Sequence, residues 1–213
     1  MRTRIGLAMV AIALGGWLSA QATNARTFTV DPARSRSLIE VGKSGAFSFV
    51  GHLHEVEAPI ANGVVHLDPG DLSHADVRLE FDAAAMRVTG KGEPPGDVPK
   101  VQEVMLGEQV LDVRRYPRIT LESTSVSPAP GSAVKPAGAT MFDVTIAGTL
   151  ALHGVTRPFK APVSVRLDGD TLTATGKLSI KQTDHGIKPI SVGGVINVKD
   201  ALNITFAIVA RER

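Results

Sequence analysis

The chain has 213 residues and no Cys, so neither a disulfide framework nor a thiol nucleophile is available and the fold must rest on an ordinary hydrophobic core. With 23 Lys and Arg against 21 Asp and Glu, its near-neutral balance gives no electrostatic case for binding nucleic acid or an anionic membrane surface.

The N-terminus carries Arg2 and Arg4, then an apolar run over 5–18, then Ala20-Gln21-Ala22, with small residues on both sides of a polar one. This is the layout of a secretory signal peptide, and the apolar run is short for a bilayer span. Residues 1–22 are therefore expected to be cleaved after Ala22, leaving 23–213 as one domain with no integral membrane span, exported to the periplasm. The rival, a retained membrane anchor, has against it the well-formed cleavage site and the absence of a Cys for lipid attachment. The segment holds two Arg and no acid, so the mature chain balances 21 basic against 21 acidic residues.

From Phe28 onward the pattern is that of strands. Phe28-Thr29-Val30 leads into the turn opener Asp31-Pro32, and a short strand follows over 37–41. An apolar patch over 45–57, with Gly45 and Gly51 on either side of it, precedes a strand over 60–67 broken by Asn62-Gly63, read either as a tight turn or as a bulge. Over 76–83 the alternation is complete: Val77, Leu79, Phe81 and Ala83 share one face, and Asp76, Arg78, Glu80 and Asp82 share the other. The Gly/Pro-rich loop 90–96 leads to one helix over 97–107, with Asp97 as cap, Pro99 in the first turn, Val101, Val104 and Met105 on one stripe, and Gly107 as stop.

Strands resume over 119–126 after Tyr116-Pro117, and a Pro/Ala/Gly-rich loop spans 127–139. The longest alternating run covers 141–154, with Phe142, Val144, Ile146, Leu150 and Leu152 on one face and Gly148 where a bulge or a close backbone approach is expected. Further strands are expected over 159–167, 172–180 and 202–209. Many strands, turn signals and a single short helix predict an all-β fold, an antiparallel sandwich or barrel.

Several pieces carry a family resemblance: Asp31-Pro32-Ala33-x-Ser35, Val110-Leu111-Asp112, Tyr116-Pro117-x-Ile119-Thr120-x-Glu122-Ser123, Gly148-Thr149-Leu150-x-Leu152-His153-Gly154-Val155-Thr156-Arg157-Pro158, and Asp184-x-Gly186-Ile187. Together they resemble the YceI family across nearly the whole mature chain. The resemblance implies an exported, eight-stranded antiparallel, lipocalin-like barrel that holds a long isoprenoid or similar lipid in an apolar channel. The chain departs from the family where an Arg-Asp-x-His-Leu run is usual, having Lys100-Val101-Gln102-Glu103-Val104-Met105, and where an aromatic usually follows Asp184, having His185.

The residues favour the same ligand class. Eight strands enclose just enough room for side chains or one slender molecule. Aromatics are only 4% of the chain, so inward rows of small aliphatics predict an apolar channel. Its expected lining is Val77, Leu79, Phe81, Phe142, Val144, Ile146, Leu178, Ile180, Ile204 and Phe206. A bound isoprenoid or fatty chain is expected, with no other cofactor; the alternative is a barrel packed solid.

His52, His54, Arg157 and His185 are the candidate head-group contacts. The rival use of His52 and His54, two apart and so on one side of a strand, is a metal site completed by Glu55 or a distant His such as His153 or His185, in a metal-binding or redox-partner barrel. A purely structural or interaction barrel is a third reading. No Gly-x-Ser-x-Gly elbow is present, and every catalytic dyad that can be drawn requires a proximity the sequence does not supply, so no enzymatic step is expected. A homodimer is compatible with such a barrel.

Overall fold

The computed structural model describes residues 24–44, 54–129, 140–192 and 196–213. The expected signal peptide at 1–22, His52, and most of the loop expected over 127–139 lie outside them. The described strands are β1 (Arg26–Val30), β2 (Arg36–Ser44), β3 (His54–Glu57), β4 (Ile60–Asp68), β5 (Asp71–Asp82), β6 (Arg87–Val88), β7 (Arg118–Pro128), β8 (Thr140–Leu152), β9 (Val155–Asp168), β10 (Thr171–Lys181), β11 (Ser191–Val192) and β12 (Ile196–Glu212). The helix is α1 (Val98–Leu106), and single 3-10 turns occupy Ala83–Ala85 and Thr183–His185.

The pairing is antiparallel throughout and closes on itself. The sheet runs β4, β5, β7, β8, β9, β10, β12, and the long β12 pairs with β2 through its earlier residues and with β1 through its last ones. β1 and β2 pair in turn with β4 and β3. Counting β1 with β2 and β3 with β4 as two bent strands, the barrel has eight. At the break between β1 and β2, Val209 O still accepts from Asp31 N at 2.8 Å, but its N–H finds no backbone acceptor there and Ser35 supplies one: Val209 N donates to Ser35 Oγ at 3.0 Å, and that hydroxyl donates to Asp31 O at 2.8 Å. Asp31 Oδ1 accepts from Ala33 N and Arg34 N, fixing the turn.

Period-2 patterning decides which side chains enter the barrel. In β9 Phe159, Ala161, Val163, Val165 and Leu167 are buried while every intervening residue is exposed. Asn62-Gly63 makes no turn but pairs within β4, next to a bulge at Ala61 marked by the register shift between Ile60 and Asn62. Opposite Gly148 the register shift is in β7, between Ser123 and Ser125, and the extra residue brings the β7 backbone against β8. A Cβ on Gly148 would lie 2.2 Å from Glu122 O and 2.8 Å from the Phe159 ring. The strand expected over 202–209 extends to Ile196–Glu212. Asp97 sits at the N-cap of α1 in helical conformation without a side-chain capping bond.

The hairpin between β8 and β9 turns on His153 and Gly154 alone, with φ of 52° and 73°. Two successive left-handed residues make the turn whose twist matches a hairpin, which is why Gly follows a residue type that tolerates positive φ. Among the described residues no helix is long and apolar enough to cross a membrane.

Candidate functional site

The barrel encloses a cavity of about 560 Å³, within the range of small-molecule sites. Its wall is almost wholly aliphatic and aromatic, with side chains contributed by β2 through β5, β7 to β10 and β12. All ten residues expected to line a channel do so: Val77, Leu79 and Phe81 from β5, Phe142, Val144 and Ile146 from β8, Leu178 and Ile180 from β10, Ile204 and Phe206 from β12.

The two ends of the barrel differ. At one, Phe28, Leu72, Leu167 and Ala210 are buried beyond the lining residues and form a floor. At the other, the crossover from β5 to β7 lays α1 against the opening, with Val101, Val104 and Met105 facing the cavity. Pro94, Asp97, Lys100 and Val104 are lining residues that are also exposed, which puts the mouth beside α1. The helix has no buried residue and is tied down by Gln102, which accepts from Val88 N at 2.7 Å and donates to Met86 O at 2.8 Å.

Polar lining is sparse, and its main feature is one that sequence reasoning missed. Glu93 enters the cavity wall with a side chain 1% exposed, its Oε1 3.0 Å from Nδ1 of His54. The loop carrying Glu93 is bound to β3 through Glu55, which accepts from Thr89 Oγ1 at 3.1 Å and from Lys91 Nζ at 2.8 Å. The Lys91 hydrogen bond, reinforced by that from Thr89, holds the Glu55 carboxyl below its usual range against the opposing effect of burial, and raises Lys91 in return. Nothing local in a Gly/Pro-rich loop marks Glu93 as inward-facing. The β9 row of Ala161, Val163 and Val165, also lining, was open to discovery by the same alternation that identified β8.

The remaining head-group candidates are placed elsewhere. His185 is 2% exposed, but its Nδ1 contacts Val155 O at 3.1 Å and it is not among the lining residues. Arg157 is exposed, its Nε donating to Asp184 O at 2.7 Å. His153 contacts His185 O through Nδ1 at 3.2 Å, and its ring lies 4.6 Å from that of Tyr116. The crossover, the β8–β9 hairpin and the Thr183–His185 turn are thereby clasped together at the rim, and Asp200 completes the clasp by accepting from Thr183 N and Oγ1 at 2.9 and 2.7 Å. Those bonds, the backbone one first, hold the Asp200 carboxyl below its ordinary value. Among the described residues no group of three or more His, Asp or Glu is placed to hold a metal ion, so His153 and His185 do not complete a site with His54.

Comparison with known proteins matches residues 28–210 to a family model described as the YceI-like domain. Two solved structures share the fold. BcnA of Burkholderia cenocepacia is 20% identical, with a TM-score of 0.59 over 84% of this chain and 98% of that one. A polyisoprenoid-binding domain from Saccharophagus degradans, implicated in plant cell wall breakdown, is 14% identical, with a TM-score of 0.62 over 87% of this chain and 98% of that one. No curated protein matches the chain.

Proposed function

The chain belongs to the YceI-like family, and from that premise we propose that its barrel sequesters one isoprenoid or other long-chain lipid tail from water, outside the cytoplasm and without a catalytic step. The observation that carries this reading is the cavity of about 560 Å³ in a wall built from the inward rows of the barrel strands. An apolar hollow of that kind matches alkyl chemistry, each buried methylene contributing about 0.8 kcal/mol. The polyisoprenoid-binding neighbour supports the same ligand class. The signal-peptide layout of residues 1–22 supports export.

Native mass spectrometry of the protein isolated from its own cell envelope tests both parts. The expected species begins at Thr23 and carries the added mass of a single hydrophobic ligand; the same spectrum reads whether two copies associate. Protein that carries no lipid and takes up no prenyl or fatty chain when offered one defeats the tail-binding reading, and an exported, membrane-bound form with Met1 intact defeats the cleavage.

A further inference from the structure

Among the described residues, the cavity wall contains one place where buried side-chain atoms are left without a hydrogen bond. Glu93 Oε1 and His54 Nδ1 are 3.0 Å apart, yet they lack the alignment of a hydrogen bond, and among the described residues neither atom has another partner. Buried polar atoms without partners cost free energy, so two of them side by side in a hydrocarbon wall call for a third group that serves both. The arrangement is built and not incidental. Glu93 N donates to Gly90 O at 3.1 Å, closing a four-residue turn whose third residue, Gly92, has a φ of 76°. Lys91 holds that turn to Glu55, the residue next to His54. The carboxylate is thereby aimed inward beside the mouth.

We infer that Glu93 and His54 bind the terminal hydroxyl of the tail held in the cavity, and that the site selects a neutral hydroxyl head over a phosphorylated one; this rests on the tail-binding reading above. A hydroxyl offers one donor and two lone pairs. It donates to Glu93 Oε1 and accepts from His54 Nδ1–H in the tautomer that carries its proton there, satisfying both atoms at once. An ammonium serves the carboxylate but has no lone pair for the imidazole. A phosphate accepts from the imidazole but brings negative charge against a carboxylate in a poorly screened setting, where like charges repel strongly. The other charged groups lining the mouth, Asp97 and Lys100, are opposite in sign and both exposed, where water screens them, so the buried carboxylate decides.

Phytol, phytyl phosphate and phytane share one branched isoprenoid tail and differ at the head, so they separate the two claims. Offered from cyclodextrin to delipidated mature protein and read by native mass spectrometry and thermal shift, phytol is expected to bind about tenfold more tightly than either of the others. Glu93→Gln keeps the acceptor and removes the charge, so phytol binding changes little while phytyl phosphate gains. His54→Phe removes one of the two bonds to the hydroxyl and lowers phytol toward phytane, and combined with Glu93→Leu it brings the two level. Equal affinities for the three probes, or a preference for the phosphate, overturn the head-group assignment while leaving tail binding intact. Failure of all three to bind overturns the tail-binding reading and the assignment with it.

Discussion

Gly148→Ala is expected to destabilise the barrel by about 3 kcal/mol or more, lowering Tm by roughly 6–12 °C in a domain of this size. The added Cβ would meet Glu122 O at 2.2 Å, Ser123 Cα at 2.8 Å and the Phe159 ring at 2.8 Å. Two of these are backbone atoms, which cannot turn aside as a flexible side chain can. Relief requires β7 to draw back from β8 at the bulge between Ser123 and Ser125, weakening the ladder between the two strands. Gly169→Ala is the control, because Gly169 has a φ of 59° but nothing within 4 Å of its would-be Cβ. That change carries backbone strain alone, about 1–2 kcal/mol. Chemical and thermal denaturation followed by circular dichroism read both; a Gly148→Ala protein no less stable than Gly169→Ala shows that steric closure at this point does not hold the two strands together.

Ile146→Trp is expected to abolish tail binding while leaving the protein folded. Ile146 lies on β8 in register with Val126 on one side and Ala161 on the other, and all three line the cavity. An indole at this position has room to extend into the hollow, where it displaces the tail. In a solidly packed interior the same change would cost about 1–3 kcal/mol. Binding stabilises the folded state by mass action, about 2.7 kcal/mol when free ligand is 100 times Kd. The parent protein should therefore melt higher when phytol is added, and the variant should melt near the delipidated parent with or without it. A variant that unfolds in the absence of ligand, together with a parent that shows no ligand-dependent shift, would mean that the interior is filled by protein.

The wall of the cavity was legible in the sequence because period-2 alternation fixes a side chain's face without reference to any other strand. Val77, Leu79 and Phe81, or Phe142, Val144 and Ile146, need only their own neighbours in the chain to be assigned. Other features depend on what meets them in space. Lys199-Asp200 interrupts the apolar row of β12, so the strand read only over 202–209, although Asp200 is held by Thr183 and the ladder continues to Ile196. His185 and Arg157 were recognisable as polar residues near the rim, but whether they turn toward a ligand or toward Val155 and Asp184 is set by the turn that follows β10. Glu93 is the extreme case, since its direction is decided by a Lys91–Glu55 pair between residues 36 apart in the chain. The two-apart spacing of His52 and His54 fixes a side of a strand and no more; what His54 meets is Glu93.

Among the described residues, Phe28, Leu72, Leu167 and Ala210 are buried beyond the hollow, while the exposed lining residues Pro94, Asp97, Lys100 and Val104 gather at the opposite rim. On the tail-binding reading proposed above, an opening on one side fits exchange with partners met in turn at a single rim better than passage from one end of the barrel to the other. On that same reading the end of the tail that enters last leaves first, and the face that bears α1 is where it is exchanged.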